Sequence, residues 1–173
     1  MMSQQLIVLD SPPDESSPWA QEVFTRAHFK PVSNDAIGDA MGEDEAARKV
    51  LLQVKDPVLE AEKLAPHYRR VFEVAHGKEP KLGLYGTAWL VYTQPIAACV
   101  VDWSSVEKLA ASTAQGAERV PYEHFRKSAH DFVAARVKKY LSADRYLALP
   151  LGLNPQQKVD ATLAFLRQRS LID

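Results

Sequence analysis

Twenty consecutive residues, Leu82 to Val101 (LGLYGTAWLVYTQPIAACVV), carry no charge in a chain that is 25% charged. A run of that kind must leave water, either into a core or into a bilayer. Its length would suit one membrane span, which takes about 20 mostly apolar residues. Its composition does not: Gly83, Gly86, Thr87, Thr93, Gln94 and Pro95 are weak or costly members, and Gln94-Pro95 would break the backbone ladder near mid-bilayer. The flanking charges, Lys78 and Lys81 before and Asp102 after, are too few to orient a span. With a mean hydropathy of −0.25 for the whole chain, the run reads as two buried elements meeting at Thr93-Gln94-Pro95. Tyr85, Trp89, Tyr92 and Ile96 fall at helical spacing, with Leu84, Ala88 and Val91 on the other side. That predicts a central helix apolar all round over 82–93, strand being the alternative. Ile96–Val101 reads as a buried strand.

At 173 residues the chain suits one domain, which on folding buries about 70% of its unfolded surface. A formal net charge of −1 exerts no overall pull on nucleic acid or anionic lipid. The charge is unevenly spread, however. Residues 1–100 hold ten Lys/Arg against fourteen Asp/Glu, a net of −4, and residues 101–173 hold eleven against eight, a net of +3. The single cysteine, Cys99, can make neither an internal disulfide nor a metal site alone, which suits a reducing, cytoplasmic setting. MMSQQLIVLD has neither the basic region nor the apolar length of a secretory signal.

Along the chain, Leu6–Leu9 is a β-favouring run cut off by the acidic turn chemistry of Asp10–Ser17. Ser17-Pro18 caps a helix carrying Trp19, Val23, Phe24 and Ala27. A second helix is predicted over 43–55, with its acids early and its bases late. Asp56-Pro57 opens a third, which Pro66 kinks or divides, with Gly77 as its C-terminal cap. Ser104 and Glu107 form a capping box. The clearest helix spans 121–141, with Tyr122, Phe125, Ala129, Phe132, Val133, Val137, Tyr140 and Leu141 at intervals of three and four. A turn-rich stretch with Pro150 and Gly152 leads to Asn154-Pro155, which caps a last helix over 155–170. The expectation is a mainly α domain, residues 19–173, behind an N-terminal strand and acidic linker, 1–18. Any sheet would be small, built from 6–9 and 96–101 in an α+β arrangement. The stripe Phe125–Phe132–Tyr140 should pack on the uncharged run.

Chemistry is sparse. Asp10 and Asp102 each follow a predicted strand, and in open α/β sheets such strand ends are where ligands bind. If the two strands were neighbours, the carboxylates could share a cleft as weak catalytic candidates. The simpler account makes Asp10 a turn residue and Asp102 a cap. The five histidines, His28, His67, His76, His124 and His130, show no i, i+4 pairing, so no metal site is expected. Ser105 and Lys108 match the spacing of a serine–lysine pair, which the capping box already explains. No Gly-rich phosphate loop, nucleophile elbow or CxxC is present, and no cofactor is implied.

Two surfaces invite partners. The 121–141 helix has a basic face of Arg126, Lys127, His130, Lys138 and Lys139, flanked by Arg119 and Arg145. Gln157 and Lys158 open the last helix, where Gln156 also lies. Together they form a candidate phosphate-and-base surface for nucleic acid. A solvated face with an i, i+4 ladder Glu123–Lys127–Asp131 is the plainer account. LIVLD with the acidic serine stretch resembles SUMO-interacting motifs over about six residues, which implies strand addition to a partner. An edge strand of the protein's own sheet explains it as well. With no catalytic constellation evident, the leading expectation is a non-catalytic accessory or adaptor subunit. Its partner would be another protein or a second copy met through residues around Trp19 and Phe24. A nucleic-acid-binding protein and a small enzyme with an Asp10–Asp102 cleft are the alternatives.

Overall fold

The computed structural model describes residues 4–10, 18–55, 60–86, 95–104, 131 and 134–173. Their centre is a five-stranded, wholly parallel sheet. The strands are β1 (Gln5–Asp10), β2 (Lys30–Ser33), β3 (Lys81–Gly86), β4 (Ala98–Asp102) and β5 (Tyr146–Leu149), in the spatial order β2-β3-β1-β4-β5. The helices are α1 (Pro18–Ala27), α2 (Asn34–Glu43), α3 (Glu45–Gln53), α4 (Ala61–His76) and α5 (Pro155–Gln168), with residues 134–140 helical as well. The fold is α/β, which corrects the expectation of a mainly α domain.

The error has a physical source. Parallel strands buried on both faces lose the in-out alternation that marks a strand in sequence. Here β4 is buried at every residue and β1 at all but its first. The described ends of the uncharged run are strands, not helix: they form β3 and β4, each hydrogen-bonded to a different side of β1, and residues 87–94 between them lie outside the described residues. Trp89 and Tyr92, which supported the helical reading, lie outside the described residues. Strand β1 pairs on both edges, so it cannot be the exposed strand-addition peptide that LIVLD suggested.

Side-chain parity along the sheet builds two cores. Leu6, Val8, Leu82, Leu84, Cys99 and Val101 face α2, α4 and the 134–140 helix through Ile37, Met41, Leu64, Tyr68 and Val137. Ile7, Leu9, Ala98, Val100 and Leu149 face α1 and α5 through Trp19, Val23, Phe24, Val159, Leu163 and Leu166. Trp19 and Phe24 are therefore themselves core, 4% and 0% exposed. Gly83 is required where it stands: a Cβ there would lie 2.3 Å from Cε1 of the buried Phe24 ring.

Local signals act as their chemistry dictates. The Asn154 side chain accepts from the Gln157 amide while Gln157 answers to the Asn154 amide, a complete capping box that starts α5. Asp44 closes α2 and caps α3, its carboxylate accepting from the Ala47 amide at 2.9 Å. Pro66 lies inside α4 without dividing it. Among the described residues no helix is long and apolar enough to cross a membrane.

Candidate functional site at the carboxyl edge of the sheet

Because all five strands run one way, Asp10, Ser33, Gly86, Asp102 and Leu149 end together along one edge. Open α/β sheets bind ligands outside such an edge, where the chain changes direction across the sheet. Here the change occurs about β1: the chain reaches β2 and β3 on one side of it and then β4 and β5 on the other.

Asp10 and Asp102 are neighbours in this edge, since β1 and β4 are paired, but they do not converge. Asp10 is in register with Val101, so Asp102 stands one residue further along and points to the opposite face. Their partners confirm the parity. Arg136, next to the core residue Val137, donates to Asp10 Oδ2 at 3.2 Å. Lys158, one residue before the core residue Val159 of α5, donates to Asp102 Oδ2 at 2.9 Å. The shared cleft expected of the two aspartates is replaced by two separate carboxylate–cation pairs, one on each face.

Both pairs are withdrawn from water. The Asp10 and Arg136 side chains are 3% and 2% exposed, and those of Asp102 and Lys158 0% and 12%. Asp102 Oδ1 also accepts the Ser104 amide at 3.0 Å. Asp102 is thus the cap of the turn at 103–104, two residues before the box predicted from Ser104, whose Glu107 lies outside the described residues. Tyr146, on β5 beside β4, has its phenol pushed above the ordinary range, chiefly by burial.

Arg136 is the residue that sequence reasoning missed. It carried a signal, for it sits four residues from both Phe132 and Tyr140 and so interrupts the apolar stripe with a charge. Such a guanidinium needs a buried acid, and Asp10 was the candidate at hand.

Of the nine residues proposed to form a nucleic-acid surface, four engage partners within the molecule. Lys158 pairs with Asp102, and Gln157 serves the α5 cap. Lys139 meets Glu62 at 3.1 Å and lies over the Tyr140 ring. Arg145 donates to the Ile96 carbonyl and to Ser142 Oγ. Lys138 is exposed, and Arg119, Arg126, Lys127 and His130 lie outside the described residues. Ser105 and Lys108 lie outside them too. Among the described residues no three His, Cys, Asp or Glu side chains are grouped to hold a metal ion.

No family model matches the chain, and no curated protein matches it in sequence. Among solved structures it is similar to a gluconokinase from Sinorhizobium meliloti 1021. The two are 13% identical, the alignment covers 96% of this chain and 93% of that one, and the TM-score is 0.46. The expectation of a non-catalytic adaptor is corrected here. It rested on the lack of an evident catalytic constellation and on the split of charge along the chain, whereas the described residues form an open parallel sheet with charged groups at its carboxyl edge, the edge where such sheets bind ligands.

Proposed function

We propose that this protein is an enzyme acting on a small polar molecule bound over the carboxyl ends of β1 and β4. The observation that carries the reading is the placement of two buried carboxylate–cation pairs at the ends of adjacent central strands. Buried ion pairs are poor stabilisers: desolvating both charges offsets much of their attraction, and apolar residues of similar size often serve stability better. Two of them at the ligand-binding edge of an α/β sheet are better accounted for by chemistry than by stability.

The edge also narrows the ligand. The link from β1 to α1, SPPDESS at 11–17, has no glycine and no lysine and carries two acids. A glycine-rich cradle for a nucleotide's phosphates is therefore not encoded there. What the described edge offers is a carboxylate and a cation on each face, suited to a ligand with hydroxyl or amine groups. Cys99 is the sole cysteine, which fits a cytoplasmic enzyme that needs no disulfide.

A small-molecule library that includes nucleotides, sugars and amino acids, screened by amide chemical shifts, tests this. Ligands should perturb residues 10, 86, 102–104 and 149 together, and Asp102→Asn should weaken them about tenfold, the scale of one lost charge-assisted bond. Ligands that bind only elsewhere, or no ligand at all, would overturn the reading.

A further inference from the structure

The opposite, amino edge of the sheet holds a cavity of about 390 Å³ that the carboxyl-edge site does not use. Gln5 and Lys81, which begin β1 and β3, form one wall. The ends of α1 and α5 form the others, through Arg26, His28, Arg167 and Ser170, and Asp173 is the one acid among the lining residues, against the three bases Arg26, Lys81 and Arg167. The volume lies in the range of small-molecule sites.

Two features of this cavity are unusual, and they coincide. The first is its charge. Lys81 has no carboxylate partner among the described residues and stands 5.6 Å over the Phe29 ring. Arg167 donates Nε to the main-chain oxygen of Asp173 at 3.2 Å, leaving the rest of its guanidinium fork. Arg26 meets Glu22 at 3.8 Å, both side chains about half exposed. The second is backbone strain. His28 (φ 60°) and Ser170 (φ 57°) are the two non-glycine residues with positive φ among the described residues, and both line this cavity.

Each sits just past a helix end. The Phe29 amide bonds the Phe24 carbonyl after α1, and the Leu171 amide bonds the Leu166 carbonyl after α5. This is the hairpin closure in which glycine normally takes the left-handed position. Both helices forgo glycine there and place an imidazole and a hydroxyl into the same basic cavity. Strain of this kind persists where the side chain is used. Gln5 adds a buried amide oxygen, Oε1, with no hydrogen-bond partner among the described residues, an acceptor for a protonated oxygen on a ligand.

We propose that this cavity binds a small oligoanion of phosphate or polycarboxylate type, gripped by Lys81 and Arg167 and hydrogen-bonded by His28 and Ser170. Inorganic phosphate, pyrophosphate and citrate, titrated into the full chain at constant ionic strength and read by amide shifts, distinguish the two chemistries. Saturable shifts should centre on residues 26–28, 81 and 167–171, and Lys81→Ala with Arg167→Gln should weaken them at least about tenfold. His28→Gly and Ser170→Gly supply the decisive contrast: each should raise the thermal midpoint by relieving strain while weakening anion binding. The proposal is overturned if no anion saturates or if chloride acts equally. It also fails if the shifts map to residues 10, 102 and 158, or if the glycine variants bind as well as the parent. None of these outcomes depends on the carboxyl-edge reading.

Discussion

The two edges of the sheet solve the problem of charge in opposite ways. At the carboxyl edge each acid is matched by a base and sealed from water, Asp10 by Arg136 and Asp102 by Lys158. At the amino edge Lys81 and Arg167 line an open cavity and neither meets a carboxylate side chain among the described residues. An intact buried pair adds little net stability, but removing one partner leaves an uncompensated buried charge and is costly, whereas a charge at the wall of an open cavity can be removed with little effect on folding. Substitutions at the two edges should therefore differ in kind.

The largest effect is expected for Arg136→Ala, which removes the guanidinium paired with the buried Asp10 carboxylate. Breaking a buried pair costs about 3–5 kcal/mol, read as a shift of the urea midpoint at unchanged slope. The double variant Asp10→Leu with Arg136→Met should recover much of that loss. If it is as unstable as the single variant, the pair is not what the site requires. Gly83→Ala should follow, at about 1–3 kcal/mol, as the added methyl displaces the Phe24 ring. Loss of the α5 cap in Asn154→Ala should cost about 1 kcal/mol. At the other edge Lys81→Ala should change stability by less than about 0.5 kcal/mol. A larger loss there would erase the contrast between the edges.

Acidity sharpens the same comparison. His76, at the end of α4, has its pKa lowered first by burial and then by Lys30, with Glu79 opposing. A histidine whose folded pKa lies below its unfolded value contributes stability that is present above the unfolded value and lost as pH falls. The thermal midpoint should drop on acidification from pH about 7 to about 5, across the ordinary histidine range, and His76→Gln should flatten that part of the profile.

Legibility in the sequence followed the range of the interactions concerned. The cap at Asn154, the helices 18–27 and 155–168, and the strands at 6–9 and 98–101 are set by residues a few positions apart, and they could be read directly, while Ser17 of the cap expected at Ser17-Pro18 lies outside the described residues. The strand nature of 81–86 could not. The spacing of Tyr85, Trp89, Tyr92 and Ile96 favoured a helix, and the reason for Gly83 lies in Phe24, 59 positions away. β2 and β5, of four residues each, exist only because β3 and β4 lie ready to pair with them. Asp10 and Asp102 were correctly placed at strand ends, but their orientation depends on a one-residue offset in register that no composition encodes. Arg136 was visible as an anomaly in an apolar stripe, and its partner lies 126 positions upstream.

The central position of β1 also dictates an order of events. Its hydrogen-bonded neighbours are β3 and β4, so a chain growing from its N-terminus has no strand to offer it until residue 81 has emerged. For all that time Leu6, Ile7, Val8 and Leu9 form an uncharged, β-prone tetrapeptide with two open edges, the kind of segment that pairs with copies of itself. Non-local pairing of this sort slows folding. The acids and prolines packed immediately behind it, Asp10, Pro12, Pro13, Asp14 and Glu15, are the residue types that interrupt such association. Residue types of that kind directly after β1 suit a strand whose two neighbours are encoded far downstream of it.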